Sequence, residues 1–169
     1  IAEHNWTREN AGLFDVSHMG QAVLIARDGV HETAARALER LVPADILNLA
    51  TGQQRYTQLL NAEGGIFDDL MVSRPQGPEQ ADGLMLVVNA ARKNEDFALI
   101  EGMLPAGVEL ALRPDNALIA LQGPQAADVL GRFVLAAPAM AFMTAHLHHF
   151  DAGDGELLEC LVSRSGYTG

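Results

Sequence analysis

The stretch Asn61-Ala62-Glu63-Gly64-Gly65-Ile66-Phe67-Asp68-Asp69-Leu70-Met71-Val72 constrains the fold more than any other. A candidate strand, Tyr56 to Leu60, precedes it, and the apolar run Leu70 to Val72 closes it. Gly-Gly permits positive φ and close backbone approach, so the pair fits a tight hairpin turn. The two adjacent acids then fall within the second strand, where aspartate is disfavoured. Successive strand residues face opposite ways. If one face is covered, Asp68 and Asp69 cannot both reach solvent. One carboxylate then faces a core or a cavity, where it must find donors or a bound partner. The alternative is a hairpin with a flared edge strand and both acids wet.

Around this hairpin the periodicity changes several times. Residues 1–12 are polar and mixed, with room for a helical turn or two. Gln21 to Ala26 reads as a strand ended by the turn dipeptide Asp28-Gly29. Val30, Ala34, Leu38 and Leu41 recur at helical spacing, and Pro43 stops that helix. Asp45 to Gln54 is a connection, and the Pro- and Gly-containing segment Pro75 to Gly83 is an exposed loop. Leu84 to Val88 is an apolar run suited to a buried strand, and Lys93 to Met103 is helical, with Phe97, Ile100 and Leu104 on one face. Val108 to Leu112 and Ala117 to Leu121 read as strands, and Gln125 to Val134 as a helix. His146 to Phe150 and Leu157 to Ser163 form a last strand pair. Strands joined by short turns, with helices between them irregularly, indicate a mixed α+β fold with mostly antiparallel sheets.

Charge narrows the partners. Eleven Lys and Arg against 22 Asp and Glu leave a net charge of -11 in 169 residues. That field repels a phosphate backbone, so nucleic acid is not an expected partner. No apolar run approaches the length of a membrane span. The single cysteine, Cys160, sits in an apolar run and reads as a buried, inert thiol. His146-Leu147-His148-His149 puts alternate imidazoles on one strand face, but no third ligand has recognisable spacing, so a solvated strand is the better reading and no metal is expected. Ser17-His18 lacks a nucleophile elbow, and His18 reads as a structural hydrogen-bonding residue. Gly64-Gly65 precedes a strand and two acids, which is not a phosphate loop. Asn89, at the end of a buried strand, either offers its amide to a ligand or caps the turn into the next helix. Tyr167 either stacks on a flat ligand or packs.

Five stretches resemble one family in its order along the chain: Leu13-Phe14-Asp15-Val16-Ser17-His18-Met19, Gly64-Gly65-Ile66-Phe67-Asp68-Asp69-Leu70, Val87-Val88-Asn89-Ala90, Ala120-Leu121-Gln122-Gly123-Pro124, and Ser163-Arg164-Ser165-Gly166-Tyr167-Thr168-Gly169. The family is the glycine cleavage system T-protein, the aminomethyltransferases. Each motif is weak alone, and the five in sequence are specific. Folate-binding domains of dimethylglycine- and sarcosine-demethylating flavoproteins are related and stand as an alternative, as does a non-catalytic folate-binding module. An iron–sulfur assembly branch carries a Lys-Gly-Cys-Tyr-x-Gly motif where this chain has Arg164-Ser165-Gly166-Tyr167-Thr168-Gly169, without cysteine.

The resemblance implies tetrahydrofolate as cosubstrate, lipoylated H-protein as partner, and neither metal nor nucleotide. It implies that Asp69 is the catalytic aspartate beside the pterin, and that Tyr56, Val87, Asn89 and Tyr167 line the folate pocket with it. Of the two acids, Asp69 rather than Asp68 is then expected to face that pocket. The implied location is the cytoplasm of a bacterium or the mitochondrial matrix of a eukaryote. The chain begins at Ile1 and stops at Gly169, before the family's pterin-holding glutamate. Residues 1–169 are therefore expected to be a fragment of the folate-binding catalytic region, without the family's N-terminal segment and C-terminal barrel. Such a fragment is expected to bind folate weakly and to be inactive alone.

Overall fold

The computed structural model describes residues 1–76, 83–153 and 155–166. In chain order the elements are α1 (Ala2–Glu9), β1 (Gly12–Asp15), β2 (Gly20–Ala26), α2 (His31–Leu38), β3 (Gln53–Leu60), β4 (Ile66–Arg74), β5 (Gly83–Val88), α3 (Lys93–Met103), β6 (Val108–Leu112), β7 (Ile119–Gln122), α4 (Ala126–Leu130), a 3-10 turn (Ala137–Ala139), β8 (Thr144–Asp151) and β9 (Leu157–Arg164). The ladders β1–β7, β2–β5, β2–β6, β3–β4, β4–β5 and β8–β9 are antiparallel, so the fold is α+β with mostly antiparallel sheets. Two compact units form: residues 18–116, and residues 1–17 with 117–169.

Residues 18–116 contain the site. Their strands run in the order β6-β2-β5-β4-β3. Alternation sends Leu24, Leu59, Leu70, Val72, Leu86 and Val88 to one face, where α2 contributes Ala34 and Leu38 and α3 contributes Phe97 and Ile100. Most of these side chains are fully buried. Each leucine removed from water in this way stabilises the fold by about 1.5–3 kcal/mol. Gly20 lies where α3 meets the sheet. A Cβ there would stand 2.6 Å from Val88 Cγ2 and 2.7 Å from Lys93 Cβ, so only glycine lets the helix sit this close.

Several expected boundaries move. Helix α2 ends at Leu38, well before Pro43. Leu41 and Val42 N–H both turn back to the Leu38 carbonyl, and the Glu39 carboxylate accepts from the Ile46 and Leu47 N–H groups at 2.8 and 2.7 Å. That side chain ties down the connection, which is why the chain leaves the helix without needing proline. Val30 stands just outside α2 with extended backbone and is exposed rather than on its apolar face. The Pro75 to Gly83 loop lies largely outside the described residues, and Gly83 opens β5.

The second unit pairs β1 with β7 and β8 with β9. Helix α4 spans only five residues, not the expected Gln125 to Val134. Beyond it, Phe133 and Val134 N–H groups both bond the Leu130 carbonyl in a tight terminal turn. Cys160 is half-buried rather than buried, because β9 leaves Leu157 and Leu158 exposed and only its middle is covered. Burial, then the neighbouring Glu159, raises its thiol pKa.

Candidate functional site

The β3–β4 hairpin closes on Asn61. Its N–H bonds the Gly65 carbonyl, its side-chain oxygen accepts from the Glu63 and Gly65 N–H groups, and Gly64 takes φ 78°. Past the turn the register shifts. Leu60 pairs with Ile66, yet Leu59 pairs with Asp68, so Phe67 is an extra residue on β4. This bulge sets the facing of everything after it. Asp68 falls opposite the fully buried Leu59, on the helix-covered face with Leu70 and Val72. Asp69 falls opposite Gln58, on the other face.

That other face collects the sequence-derived candidates. Tyr56 on β3 pairs with Met71 on β4, and Met71 with Val87 on β5, so Tyr56 and Val87 share the Asp69 side. Leu70 pairs with Val88, and the next step of that register brings Asn89 alongside Asp69. The Tyr56 hydroxyl donates to Asp69 Oδ2 at 2.5 Å, and Asn89 Nδ2 donates to Asp69 Oδ1. The same amide donates to Asp68 Oδ1 at 2.8 Å. An amide carries two N–H donors, so Asn89 bridges the two acids, one hydrogen to each. The side-chain nitrogen of Asn89 is thus engaged with the two acids and does not cap α3; the backbone carbonyl of Asn89 takes the turn bond, from the Arg92 N–H at 3.2 Å.

Tyr56 is 53% exposed and Asp69 is half-buried. The carboxylate beside it raises the Tyr56 pKa, first through their hydrogen bond, so the phenol keeps its proton and stays a donor. Asp68 stands differently. Its Oδ1 accepts from Asn89 and from the Asp69 N–H at 2.8 Å, while its Oδ2 is buried without a donor. Behind it on α3 lies Asp96, fully buried, with neither carboxylate oxygen given a donor. Burial and the neighbouring Asp68 push the Asp96 pKa up to about 7. Arg92 caps this corner with its guanidinium 4.5 Å over the Phe67 ring.

The structure therefore brings Tyr56, Asp69, Val87 and Asn89 together. Tyr167 lies outside the described residues. Sequence reasoning missed Asp96, although an acid four residues before Ile100 on the apolar face of a helix was the available signal. The serine and histidine of Ser17-His18 have separate structural bonds: Ser17 Oγ donates to Asp15 Oδ1 at 2.6 Å and accepts from the Leu118 N–H at 3.0 Å, while the His18 carbonyl accepts from Lys93 Nζ at 3.1 Å. On β8 the His146 and His148 rings lie 6.2 Å apart, and burial, then the two neighbouring imidazoles, lowers the His148 pKa. Among the described residues no three His, Cys, Asp or Glu side chains are grouped to hold a metal. A surface depression of about 530 Å³ runs along the outer side of α2, past Thr33, Arg36 and Arg40, and does not reach Asp69.

The fold is thus a mostly antiparallel α+β domain with a tyrosine- and amide-held carboxylate on one sheet face. The profile of the GCVT N-terminal domain family matches residues 1–169, and the chain belongs to that family. It is 37% identical over 171 aligned positions to an aminomethyltransferase of Synechocystis sp., covering 99% of this chain and 43% of that protein. It is 42% identical over 173 positions to an aminomethyltransferase of Synechococcus elongatus, covering 100% of this chain and 43% of that protein. Among solved structures it is similar to the glycine cleavage system aminomethyltransferase T from Bartonella henselae, with TM-score 0.77 and 33% identity over 99% of this chain and 42% of that one. The chain thus spans less than half the length of these relatives.

Proposed function

We propose that the chain is the folate-binding catalytic region of a tetrahydrofolate-dependent aminomethyltransferase of the glycine cleavage system. The observation that carries this reading is the Asp69 carboxylate, held between the Tyr56 hydroxyl and the Asn89 amide on one sheet face with Val87. Each of these donors takes one acceptor direction on a separate oxygen. A carboxylate offers about four such directions, so two remain for the ring N–H and amino donors of a pterin. The Tyr56 ring and Val87 add the apolar surface that a flat heterocycle needs. Tetrahydrofolate, when bound, would supply the N5 amine that takes up the methylene of an aminomethyl group carried on the lipoyl arm of H-protein, giving methylenetetrahydrofolate and ammonia and leaving the lipoyl sulfur as a free thiol.

Asp69 orients the ring, offsets positive charge growing on nitrogen and stands ready as a proton acceptor. Tyr56 and Asn89 fix its two oxygens before the reaction, so little reorganisation is needed during it. The partner on this reading is the lipoylated H-protein, and a cytoplasmic reaction is part of the same proposal.

The test is Asp69→Asn in the full-length protein. The amide keeps the shape and one acceptor oxygen but removes the charge. Turnover at saturating tetrahydrofolate is expected to fall by about 10²–10³, with a much smaller change in folate affinity. Unchanged turnover rules out a catalytic charge at Asp69. Folate binding without any turnover in the wild-type protein moves the reading to a non-catalytic folate-binding module.

A further inference from the structure

We propose that Asp68 and Asp96 share one proton on the helix-covered side of the sheet, and that this carboxyl pair positions Asn89 and, through it, the Asp69 carboxylate on the opposite side. Asp96 is here a positioning residue, and its link to folate rests on the functional reading above.

The geometry is specific. Three carboxylate oxygens, both of Asp96 and Oδ2 of Asp68, are buried and have no donor among the described residues. Asp96 is fully buried, and its α3 neighbours Phe97 and Ile100 are buried with it. Asp68, from β4, is a carboxyl neighbour within its hydrogen-bonding reach. Ionised together, Asp96 and the Asp68 oxygen beside it, buried and without donors among the described residues, repel each other and carry a cost of desolvation. One proton removes both difficulties. It converts one acid into an O–H donor that the other accepts, and the pair then carries a single negative charge.

Two further charged groups act on Asp96, Glu95 from its own helix and Arg92 from the residue just before it. Arg92 favours the ionised form and Glu95 opposes it. Arg92 is also engaged with the Phe67 ring, and burial together with Asp68 outweighs it, which places the loss of the shared proton near neutral pH, at about 7.

The pair is wired to the site by hydrogen bonds already described. Asp68 Oδ1 accepts one Asn89 hydrogen, and Asp69 Oδ1 accepts the other. Asp68 Oδ1 also accepts the Asp69 N–H. While the proton is held, Asp68 Oδ2 is occupied by Asp96, and Oδ1 stays aimed at Asn89. When it is lost, a second negative charge appears behind the bridge. Asp68 must swing from Asp96 or draw the amide toward itself, and Asp69 loses its fixed orientation.

Two measurements on the full-length protein test this. The first follows the aspartate carboxyl carbons by NMR as pH rises. One carboxyl pair is expected to titrate near neutral pH, and Asp96→Asn is expected to abolish that step. If every aspartate titrates in the ordinary carboxylate range, the shared proton does not exist. The second is the affinity for tetrahydrofolate against pH, by calorimetry. It is expected to fall above about pH 7, by up to about tenfold per pH unit. In Asp96→Asn, whose amide is a permanent donor to Asp68, that slope is expected to disappear. Should that variant not fold, Asp68→Asn supplies the same donor from the other side.

A neutral titration step with a pH-independent affinity overturns the positioning role. Failure of the wild-type protein to bind tetrahydrofolate at any pH overturns the functional reading and the positioning role with it, and the carboxyl step then reports on the proton alone.

Discussion

Replacing Asn89 by aspartate changes one NH2 into an oxygen and reverses the chemistry of the bridge. Asn89 donates to Asp68 Oδ1 and to Asp69 Oδ1. In Asn89→Asp both donors vanish and a third carboxylate meets two others. A hydrogen bond to a charged group is worth about 1.5–3 kcal/mol, and two are lost. Because Asp69 and Asn89 are only half-buried, solvent repays part of this, and a net loss of about 3 kcal/mol at pH 8 is expected. Asn89→Ala separates the contributions. It removes the donors without adding charge, and a loss of about 2 kcal/mol with no added pH dependence is expected. Lowering the pH protonates the new acid, returns one O–H donor and relieves the repulsion. The Asn89→Asp deficit, taken as the difference from wild type at each pH, is therefore expected to shrink markedly between pH 8 and pH 5. Urea unfolding of the full-length protein at both pH values reads both variants against the wild type. A deficit below about 0.5 kcal/mol at pH 8, or one that does not change with pH, would show that the amide does not bridge the two acids.

Gly20→Ala sets a Cβ 2.6 Å from Val88 Cγ2, 2.7 Å from Lys93 Cβ and 2.8 Å from Phe97 Cζ. A loss of about 1–3 kcal/mol is expected, read as a lower melting temperature, and an unchanged melt would mean that α3 can shift away freely. Stability should also depend on pH through Asp96. Its folded pKa is raised from 3.8 to about 7, so the folded state holds a proton that the unfolded chain has released. Stability then declines as pH rises through that window, by at most about 1.4 kcal/mol per pH unit. Denaturant unfolding of wild type against Asp96→Asn checks it, since a slope identical in the two would assign the proton elsewhere.

Much of residues 18–116 was legible because its periods are clean. Lys93 to Met103 and Val108 to Leu112 fold over the spans the pattern indicates, and the hairpin forms where Gly64-Gly65 calls for it. Helix ends were less legible, because side chains distant in sequence decide them, as Glu39 does by taking the amides of Ile46 and Leu47. At the site, the residues that meet at Asp69 came from the family resemblance, whereas strand alternation established only that the two acids part company. The bridging use of Asn89 needed the β4–β5 register, which no local pattern carries. Asp96 went unnoticed because Phe97, Ile100 and Leu104 alone satisfied the helical period.

The bulge at Phe67 has the force of a parity bit. Counted back from Leu60 and Ile66 in a regular ladder, Asp68 would meet Gln58 and Asp69 would meet Thr57. The acids would then trade sides, with Asp69 turned in toward Asp96 and Asp68 left beside Tyr56. One additional residue prevents that exchange. The identity of the acid presented outward is thus written in whether the count between turn and strand is odd or even, and two chains with the same Asp-Asp pair can present different members of it.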